Sequence, residues 1–213
     1  GAGGDIFKAV EAGDAAQVRM LVSKNPGGAT APRSPNGDTV LHHAALREPD
    51  GKATCLEALL EAPGVKHDIT NNAGKTALHV AAESGREAAM RTLLRYGASC
   101  EAPAPNGMTS LHLAAAEGHT ACIQAAIDCN VSPNLLDGQQ QTALHLVAQK
   151  GHKACAEVLL AAKAEVDKAL PDAAGGRTPL HDSAAAGHRE VVEALLKANA
   201  NVQLRTATGS TAA

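Results

Sequence analysis

Apolar and polar positions along the chain follow a helical pattern that restarts about every 33 residues. The tetrapeptides TVLH, TALH, TSLH, TALH and TPLH begin at residues 39, 76, 109, 142 and 178, so the spacings are 37, 33, 33 and 36. In four of the five copies a glycine follows nine residues after the threonine, and an apolar pair follows eight and nine residues after the glycine. Each copy therefore predicts a short helix, a turn and a second short helix.

The ends of the first helix in each copy carry their own signals. Threonine is a favourable N-cap because its hydroxyl accepts a free backbone N–H, and a polar side chain three residues later can bond back to it. A histidine holds that later position in every copy: His42, His79, His112, His145 and His181. Glycine suits the left-handed residue that ends a helix, and the mid-copy glycines are Gly85, Gly118, Gly151 and Gly187, with Gly51 three residues late in the first copy. We therefore predict a Thr–His capping box at the start of each first helix and a glycine at its end.

Helices of this length do not stand alone. Each would have roughly nine or ten residues, below the ~12–15 at which an isolated helix becomes marginally stable in water. Stacking of neighbouring copies buries the apolar face that one copy cannot bury by itself. The repeat therefore predicts an all-α repeat solenoid.

The repeated unit resembles the ankyrin repeat. The resemblance rests on Thr-x-Leu-His-x-Ala, on the Gly-His pairs at 118, 151 and 187 and on the apolar pair, within a unit of about 33 residues. It implies stacked helix-turn-helix units, connecting loops that project as β-hairpin fingers, and a curved solenoid with a concave groove. Two positions depart from the family pattern. The family's loop aspartate, five residues before the threonine, occurs only as Asp137, and Gln140 replaces the usual glycine two residues before Thr142.

The resemblance also divides the chain into segments. We expect five ankyrin repeats over 36–206, at about 36–72, 73–105, 106–138, 139–174 and 175–207. Residues 5–35 fit the same frame as an atypical N-terminal capping repeat and loop, with Phe7 in the histidine position. Residues 208–213 begin a further, truncated repeat, and residues 1–4 are interpreted as a cloning remnant.

Composition narrows the class of protein. Of the 213 residues 45% are hydrophobic, yet there are one Phe, one Tyr and no Trp, so the core must be built from Ala, Leu and Val in closely packed helices. The net charge of -3 provides no basic footprint for nucleic acid. No apolar run reaches the ~18 residues of a membrane span, and the chain does not start like a secretory signal. We expect a cytoplasmic monomer, with the nucleus as an alternative location, and neither a nucleic acid nor a membrane as a partner.

Histidine and cysteine are the residues that could indicate a chemical site. The five capping histidines recur once per unit, and stacked helices lie ~8–10 Å apart, whereas zinc needs ligand nitrogens at ~2 Å. The five cysteines lack the two-residue spacing of metal and redox sites, and Cys55, Cys122 and Cys155 share one repeat position that predicts burial. The run HDSA at 181–184 contains His, Asp and Ser, but consecutive helical residues point in different directions and cannot align as a catalytic triad. We predict no catalytic residue, cofactor or metal, and hence no enzyme.

Function is expected where equivalent exposed positions differ between copies. The residues just before each threonine form a fingertip row: Asp38, Lys75, Met108, Gln141 and Arg177. The ends of the first helices form a helix-end row: Arg47, Glu83, Glu117, Gln149 and Lys150. The family resemblance implies that these rows line the concave surface that holds partners. Because Trp and Tyr, the usual hot-spot anchors, are missing from both rows, we expect a polar interface with a partner protein or an extended peptide.

Two alternatives remain open beside a free-standing interaction module or scaffold. The chain could be the regulatory or targeting domain of a larger enzyme, or an assembly-chaperone subunit. The insertions REPDGK at 47–52 and KALPDAAGG at 168–176 offer a second candidate surface, since long loops are where a binding protein departs from its scaffold.

Overall fold

The fold is all-helical. The computed structural model describes residues 2–32, 34–47, 54–171 and 175–212, with the backbone alone at 2–5. These residues form twelve α-helices and a short 3-10 helix, and none of them is assigned to a strand. The helices are α1 Ala2–Glu11, α2 Ala15–Lys24, α3 Val40–Arg47, α4 Thr54–Leu60, α5 Ala77–Glu83, α6 Glu87–Arg95, α7 Ser110–Glu117, α8 Thr120–Asp128, α9 Ala143–Lys150, α10 Lys153–Ala161, α11 Pro179–Ala185 and α12 Arg189–Lys197. The chain divides into two compact units, Gly1–Pro105 and Asn106–Ala213.

In the first unit the helices form two layers. Helices α1, α3 and α5 pack side by side, α2, α4 and α6 pack side by side, and each member of the first layer contacts the helix that follows it. The 3-10 helix Pro26–Ala29 packs on α1 and α2. The largest fully buried side chains are aliphatic or thioether groups: Ile6, Leu41, Leu56, Leu59, Leu78, Met90 and Leu93. The aromatic-poor composition is thus matched by a core of Leu, Val and Ala at helix contacts.

The second unit repeats this arrangement. Helices α7, α9 and α11 form one layer, α8, α10 and α12 form the other, and each pair packs as a helical hairpin. Its largest fully buried side chains are Leu111, Ile123, Leu144, Leu159 and Leu195. Leu111 and Leu144 are leucines of the Thr-x-Leu-His motif, so the motif supplies both the cap and part of the core of the first layer.

The predicted Thr–His capping box is confirmed. Both halves of the box are present at Thr76, Thr109, Thr142 and Thr178, and the N–H of Thr39 donates to Nδ1 of His42 at 3.2 Å. Since Nδ1 accepts this bond, the ring is neutral and carries its proton on Nε2. In four of the five copies Nε2 then donates to a carbonyl of the following loop, as from His42 to Lys75 at 2.9 Å and from His79 to Ala102 at 2.8 Å. The same side chain therefore caps a helix and ties two repeats together.

Burial keeps these imidazoles neutral. Removal from water lowers the pKa of His42, His79, His112 and His145, and the bonds to backbone carbonyls oppose that shift only in part. A proton on Nδ1 would replace an acceptor with a donor that faces the N–H of the capping threonine. The network therefore requires the neutral form of each ring.

The glycines that end the first helices also take the expected conformation. Gly118 and Gly151 are left-handed C-caps with φ of 77° and 80°. A Cβ at Gly151 would lie 2.6 Å from Nδ1 of His188, so this glycine also makes room for a ring of the next repeat. Gly51 lies outside the described residues.

The fingers are tight turns. The N–H of residue 71 bonds to the carbonyl of Lys75 at 2.9 Å, and the N–H of Asp137 bonds to that of Gln141 at 2.9 Å. Oδ1 of Asp137 accepts two further backbone bonds, from Gln139 and Gln141, each at 2.8 Å. Gln140 adopts φ of 61°, so the turn forms in the conformation that favours glycine although glycine is absent.

Several other expectations can be compared with the structure. Cys55, Cys122 and Cys155 are buried as predicted, and none of the five cysteines forms a disulfide. Helix α1 begins at Ala2, so residues 2–4, interpreted above as a remnant, are helical. Of the insertion at 47–52, the structure describes only Arg47. Positions 172–174 of the insertion at 168–176 also lie outside the described residues. Within the described ranges, no helix combines the length and apolarity needed to cross a membrane.

Candidate functional site

A cleft of about 550 Å³ opens in the first unit between the fingers and the helix ends, and we call it the first-unit cleft. Its lining includes Asp38 and Lys75 of the fingertip row and Glu83 of the helix-end row. Leu46 of α3 and Val80 of α5 form apolar parts of the wall. The structure thus places three of the predicted site residues around one cavity.

Two of these residues bind each other. Nζ of Lys75 lies 2.7 and 2.6 Å from the two carboxylate oxygens of Glu83. The side chains are 28% and 39% exposed, so the pair lies at the rim of the cleft where solvent still screens it. Because Lys75 precedes α5 and Glu83 ends it, the pair runs the length of that helix and joins the two rows.

Asp38 is held by uncharged groups. Nδ2 of Asn71 donates to its Oδ1 at 2.8 Å, and Oγ of Ser34 donates to its Oδ2 at 3.3 Å. The backbone N–H of Asp38 returns a bond to Oγ of Ser34 at 2.8 Å. These bonds fix the orientation of the carboxylate without balancing its charge. With Lys75 and Glu83 paired, the charged side chains that line the cleft sum to a net negative charge.

In the second unit a buried carboxylate joins two other predicted residues. Nε of Arg177 lies 2.8 Å from Oδ1 of Asp182, and Nε2 of Gln149 donates to Oδ2 of the same residue at 3.1 Å. Asp182 itself is 5% exposed, whereas the side chain of Arg177 is 46% exposed. A member of the fingertip row and a member of the helix-end row are therefore positioned by one aspartate.

Sequence reasoning missed this function of Asp182. It treated the residue only as part of the run HDSA and did not look for its partners. The signal was available, because three of the other four copies place an apolar residue at this position of the motif: Val80, Leu113 and Leu146. A carboxylate at a buried, otherwise apolar position needs a cationic or hydrogen-bonding partner.

The remaining predicted residues are not brought together. Gln141 is 7% exposed and lies below the surface, because Asp137 holds its N–H and its carbonyl accepts from Nε2 of His112 at 3.1 Å. Met108 is half-buried. Arg47, Glu117 and Lys150 are exposed at the ends of α3, α7 and α9, and Arg47 does not line the first-unit cleft.

The His, Asp and Ser side chains of the HDSA run each have another hydrogen-bond or ion-pair partner. The hydroxyl of Ser183 donates to the carbonyl of Leu180 at 3.1 Å, while Nδ1 of His181 bonds to Thr178, so these two groups do not form a nucleophile and base. In the part of the chain that the structure describes, no three His, Cys, Asp or Glu side chains converge on a point that could hold a metal ion.

Comparison with known proteins gives one family and one fold. A sequence model described as ankyrin repeats (3 copies) matches residues 6–104 and 111–206. The crystal structure of the ankyrin repeat domain of Bcl-3, described as a unique member of the IkappaB protein family, superposes with a TM-score of 0.85. That match has 22% sequence identity and covers 98% of this chain and 91% of that one. A search of curated protein sequences finds no match. At this identity the structural likeness establishes the fold.

Proposed function

Since the chain belongs to the ankyrin repeat family, we propose that it is a non-catalytic protein–protein interaction module. The ankyrin fold is generally a binding scaffold, and its repeats are interaction modules. The partner is a protein surface or an extended peptide, held by the fingertip and helix-end rows, the face that the family commonly uses. A cytoplasmic or nuclear location goes with this proposal, because none of the five cysteines forms a disulfide.

The first-unit cleft is the observation that carries the proposal. Asp38, Lys75 and Glu83 all line this cleft. Its volume of about 550 Å³ is enough to receive side chains of a bound segment. The charges are oriented by specific hydrogen bonds, which is the kind of preorganisation that reduces the cost of binding. Without Trp or Tyr in the lining, affinity depends on polar complementarity.

Affinity capture from an extract of the source cells tests the proposal. The informative variant is the double swap Lys75→Glu and Glu83→Lys, because it keeps the ion pair while it inverts the charge pattern of the cleft. The matched control is Arg189→Glu and Glu193→Arg, which swaps an exposed pair on α12 whose Nε and Oε1 atoms lie 3.0 Å apart.

The proposal predicts a partner that the parent chain and the control retain and that the cleft swap loses by at least tenfold, as read by quantitative mass spectrometry. Circular dichroism should show that all three proteins are equally folded. If the cleft swap retains the same proteins in the same amounts as the parent chain, the first-unit cleft is not the binding site.

A further inference from the structure

One capping histidine lacks the partner that its counterparts have. In the second unit, Nε2 of His112 lies 3.1 Å from the carbonyl of Gln141, and Nε2 of His145 lies 3.4 Å from that of Arg177. Nε2 of His181 is buried and has no hydrogen-bond partner, although His181 is only 5% exposed. Its Nδ1 is held by the N–H of Thr178 at 3.2 Å, so the proton is on Nε2 and a buried donor is left unused.

This donor belongs to a second cavity. A cleft of about 350 Å³, which we call the second-unit cleft, is lined by His181, Arg177, the hydroxyl residues Thr206, Ser210 and Thr211, and three alanines. None of the described residues that line it carries a carboxylate, in contrast to the first-unit cleft with Asp38 and Glu83. The polar side chains among these described lining residues can all donate hydrogen bonds, and the charged one, Arg177, is a cation that also pairs with Asp182.

We propose that the second-unit cleft binds the carboxylate of an Asp or Glu residue in an extended partner segment. One carboxylate oxygen accepts from Nε2 of His181, and the carboxylate faces the half-exposed guanidinium of Arg177 and the hydroxyls of the opposite wall. This inference rests on the proposed function, because it specifies the chemistry of the partner at one cleft of the second unit.

The charge around Arg177 selects a carboxylate over other groups. A cationic side chain would face Arg177, and none of the lining residues that the structure describes has a carboxylate to receive it. A dianionic phosphate would lie near the buried carboxylate of Asp182, which already holds Nε of Arg177 at 2.8 Å. A single negative charge satisfies the buried donor with the least repulsion.

The wall formed by residues 206–212 must shift for the ligand to reach Nε2, because that atom is buried. The wall is a small turn closed by a bond from the N–H of Thr206 to the carbonyl of Ser210 at 2.8 Å. It is tied to the rest of the unit by the N–H of Ala207, which donates to the carbonyl of Gly175 at 2.9 Å. Binding therefore changes the backbone signals of this turn as well as those of His181.

The test is an NMR titration of the whole chain with three blocked peptides, acetyl-Ala-Ala-Glu-Ala-Ala-amide and its Gln and Lys counterparts. The Glu peptide should produce saturable shifts of the His181 ring nitrogens and of the amides of 206–212. The Gln peptide should bind at least fivefold more weakly, and the Lys peptide should leave these signals unchanged. Equal shifts with the three peptides, or no shifts with any of them, would overturn the proposal.

Two variants assign the binding to the cleft. His181→Asn keeps an acceptor for the N–H of Thr178 but removes the Nε2 donor, and it should abolish the preference for Glu over Gln. Ala184→Leu fills the cleft without touching the capping box, so it should weaken the Glu peptide at least tenfold even if His181→Asn fails to fold. Unchanged affinity in Ala184→Leu would contradict the proposal.

The swap Lys75→Glu and Glu83→Lys separates this inference from the proposed function. It should leave the affinity for the Glu peptide unchanged, because both residues belong to the other unit. If no peptide binds while the swap still loses the captured partner, the inference fails and the proposed function stands.

Discussion

The ammonium group of Lys75 lies 2.6 Å from a carboxylate oxygen of Glu83, eight residues further along the chain. One residue precedes α5 and the other ends it, so the contact couples a fingertip to a helix end within a single repeat. Both side chains remain partly exposed, and an ion pair in such a place contributes little to folding. The pair therefore adds little to stability, and the proposed function assigns it to recognition.

Removal of this ion pair should hardly affect folding. We expect Lys75→Gln to lower the free energy of unfolding by less than about 1 kcal/mol, because solvent screens the pair. Urea unfolding at pH 7 measures this. A loss above about 2 kcal/mol would show that the pair is a structural element and would weaken the argument for recognition.

A methyl group at Gly151 should destabilise the chain more than one at Gly187. Both glycines have positive φ, 80° and 74°, so alanine at either costs about 1–2 kcal/mol in backbone strain. At Gly151 the new Cβ would also lie 2.6 Å from the ring of His188, whereas at Gly187 it would meet nothing within 4 Å. Displacing that ring breaks its bond to the carbonyl of Gln149, 3.0 Å long, and adds about 0.5–1.5 kcal/mol. Equal losses in urea unfolding of the two variants would contradict this account.

Mild acid should destabilise the fold through the capping histidines. Burial lowers the pKa of His42, His79, His112 and His145 below the 6.5 of an unburied imidazole. Above pH 6.5 both the folded and the unfolded chain hold these rings neutral, so their contribution is constant. As the pH falls through 6.5 the unfolded chain takes up protons that the folded chain resists, so stability falls until the folded pKa values are reached.

The slope has an upper bound of about 1.4 kcal/mol per pH unit for each such histidine. Urea unfolding between pH 8 and pH 5 measures it. The variant His112→Asn, although less stable, should show a smaller slope because one titrating ring is gone. The same stability at pH 8 and pH 5 in the parent chain would refute the explanation.

Glycine at position 140 should stabilise the chain. Gln140 adopts φ of 61°, a conformation that costs non-glycine residues about 1–2 kcal/mol. Glycine relieves this strain but adds freedom to the unfolded chain, so we expect Gln140→Gly to gain up to about 1 kcal/mol. The neighbouring Gln139→Gly serves as the control and should stabilise nothing, since residue 139 is not among those with positive φ. A loss of stability in Gln140→Gly would show that its side chain makes a compensating contact.

Local features of the fold could be predicted from the sequence because their atoms are close along the chain. A capping box spans three residues and a C-cap glycine spans one turn, so Thr76, His79 and Gly118 take the predicted conformations. The partners of Asp182 could not be derived in this way. Gln149 lies 33 residues away, and the contact exists only because the repeats stack with a given register.

The candidate site was predictable in outline and not in detail. Alignment of the repeats identified Asp38, Lys75 and Glu83, which line one cleft. The same alignment predicted that Gln141 is exposed at the surface. In the structure Gln141 is instead buried by its own turn. The unpartnered Nε2 of His181 could not be foreseen either, since its Thr-x-Leu-His motif is the same as in the other copies.

Site-specific photocrosslinking tests the central claim most directly, because it reports where a partner lies. We would incorporate p-benzoylphenylalanine at Ser84, an exposed residue that lines the first-unit cleft, and separately at Arg95, an exposed residue at the end of α6 in the same repeat. After irradiation in cell extract, the account predicts one crosslinked partner from Ser84 and none from Arg95. A partner that crosslinks from Arg95 and not from Ser84 would contradict it, because binding would then lie on the second helices rather than on the fingertips and helix ends.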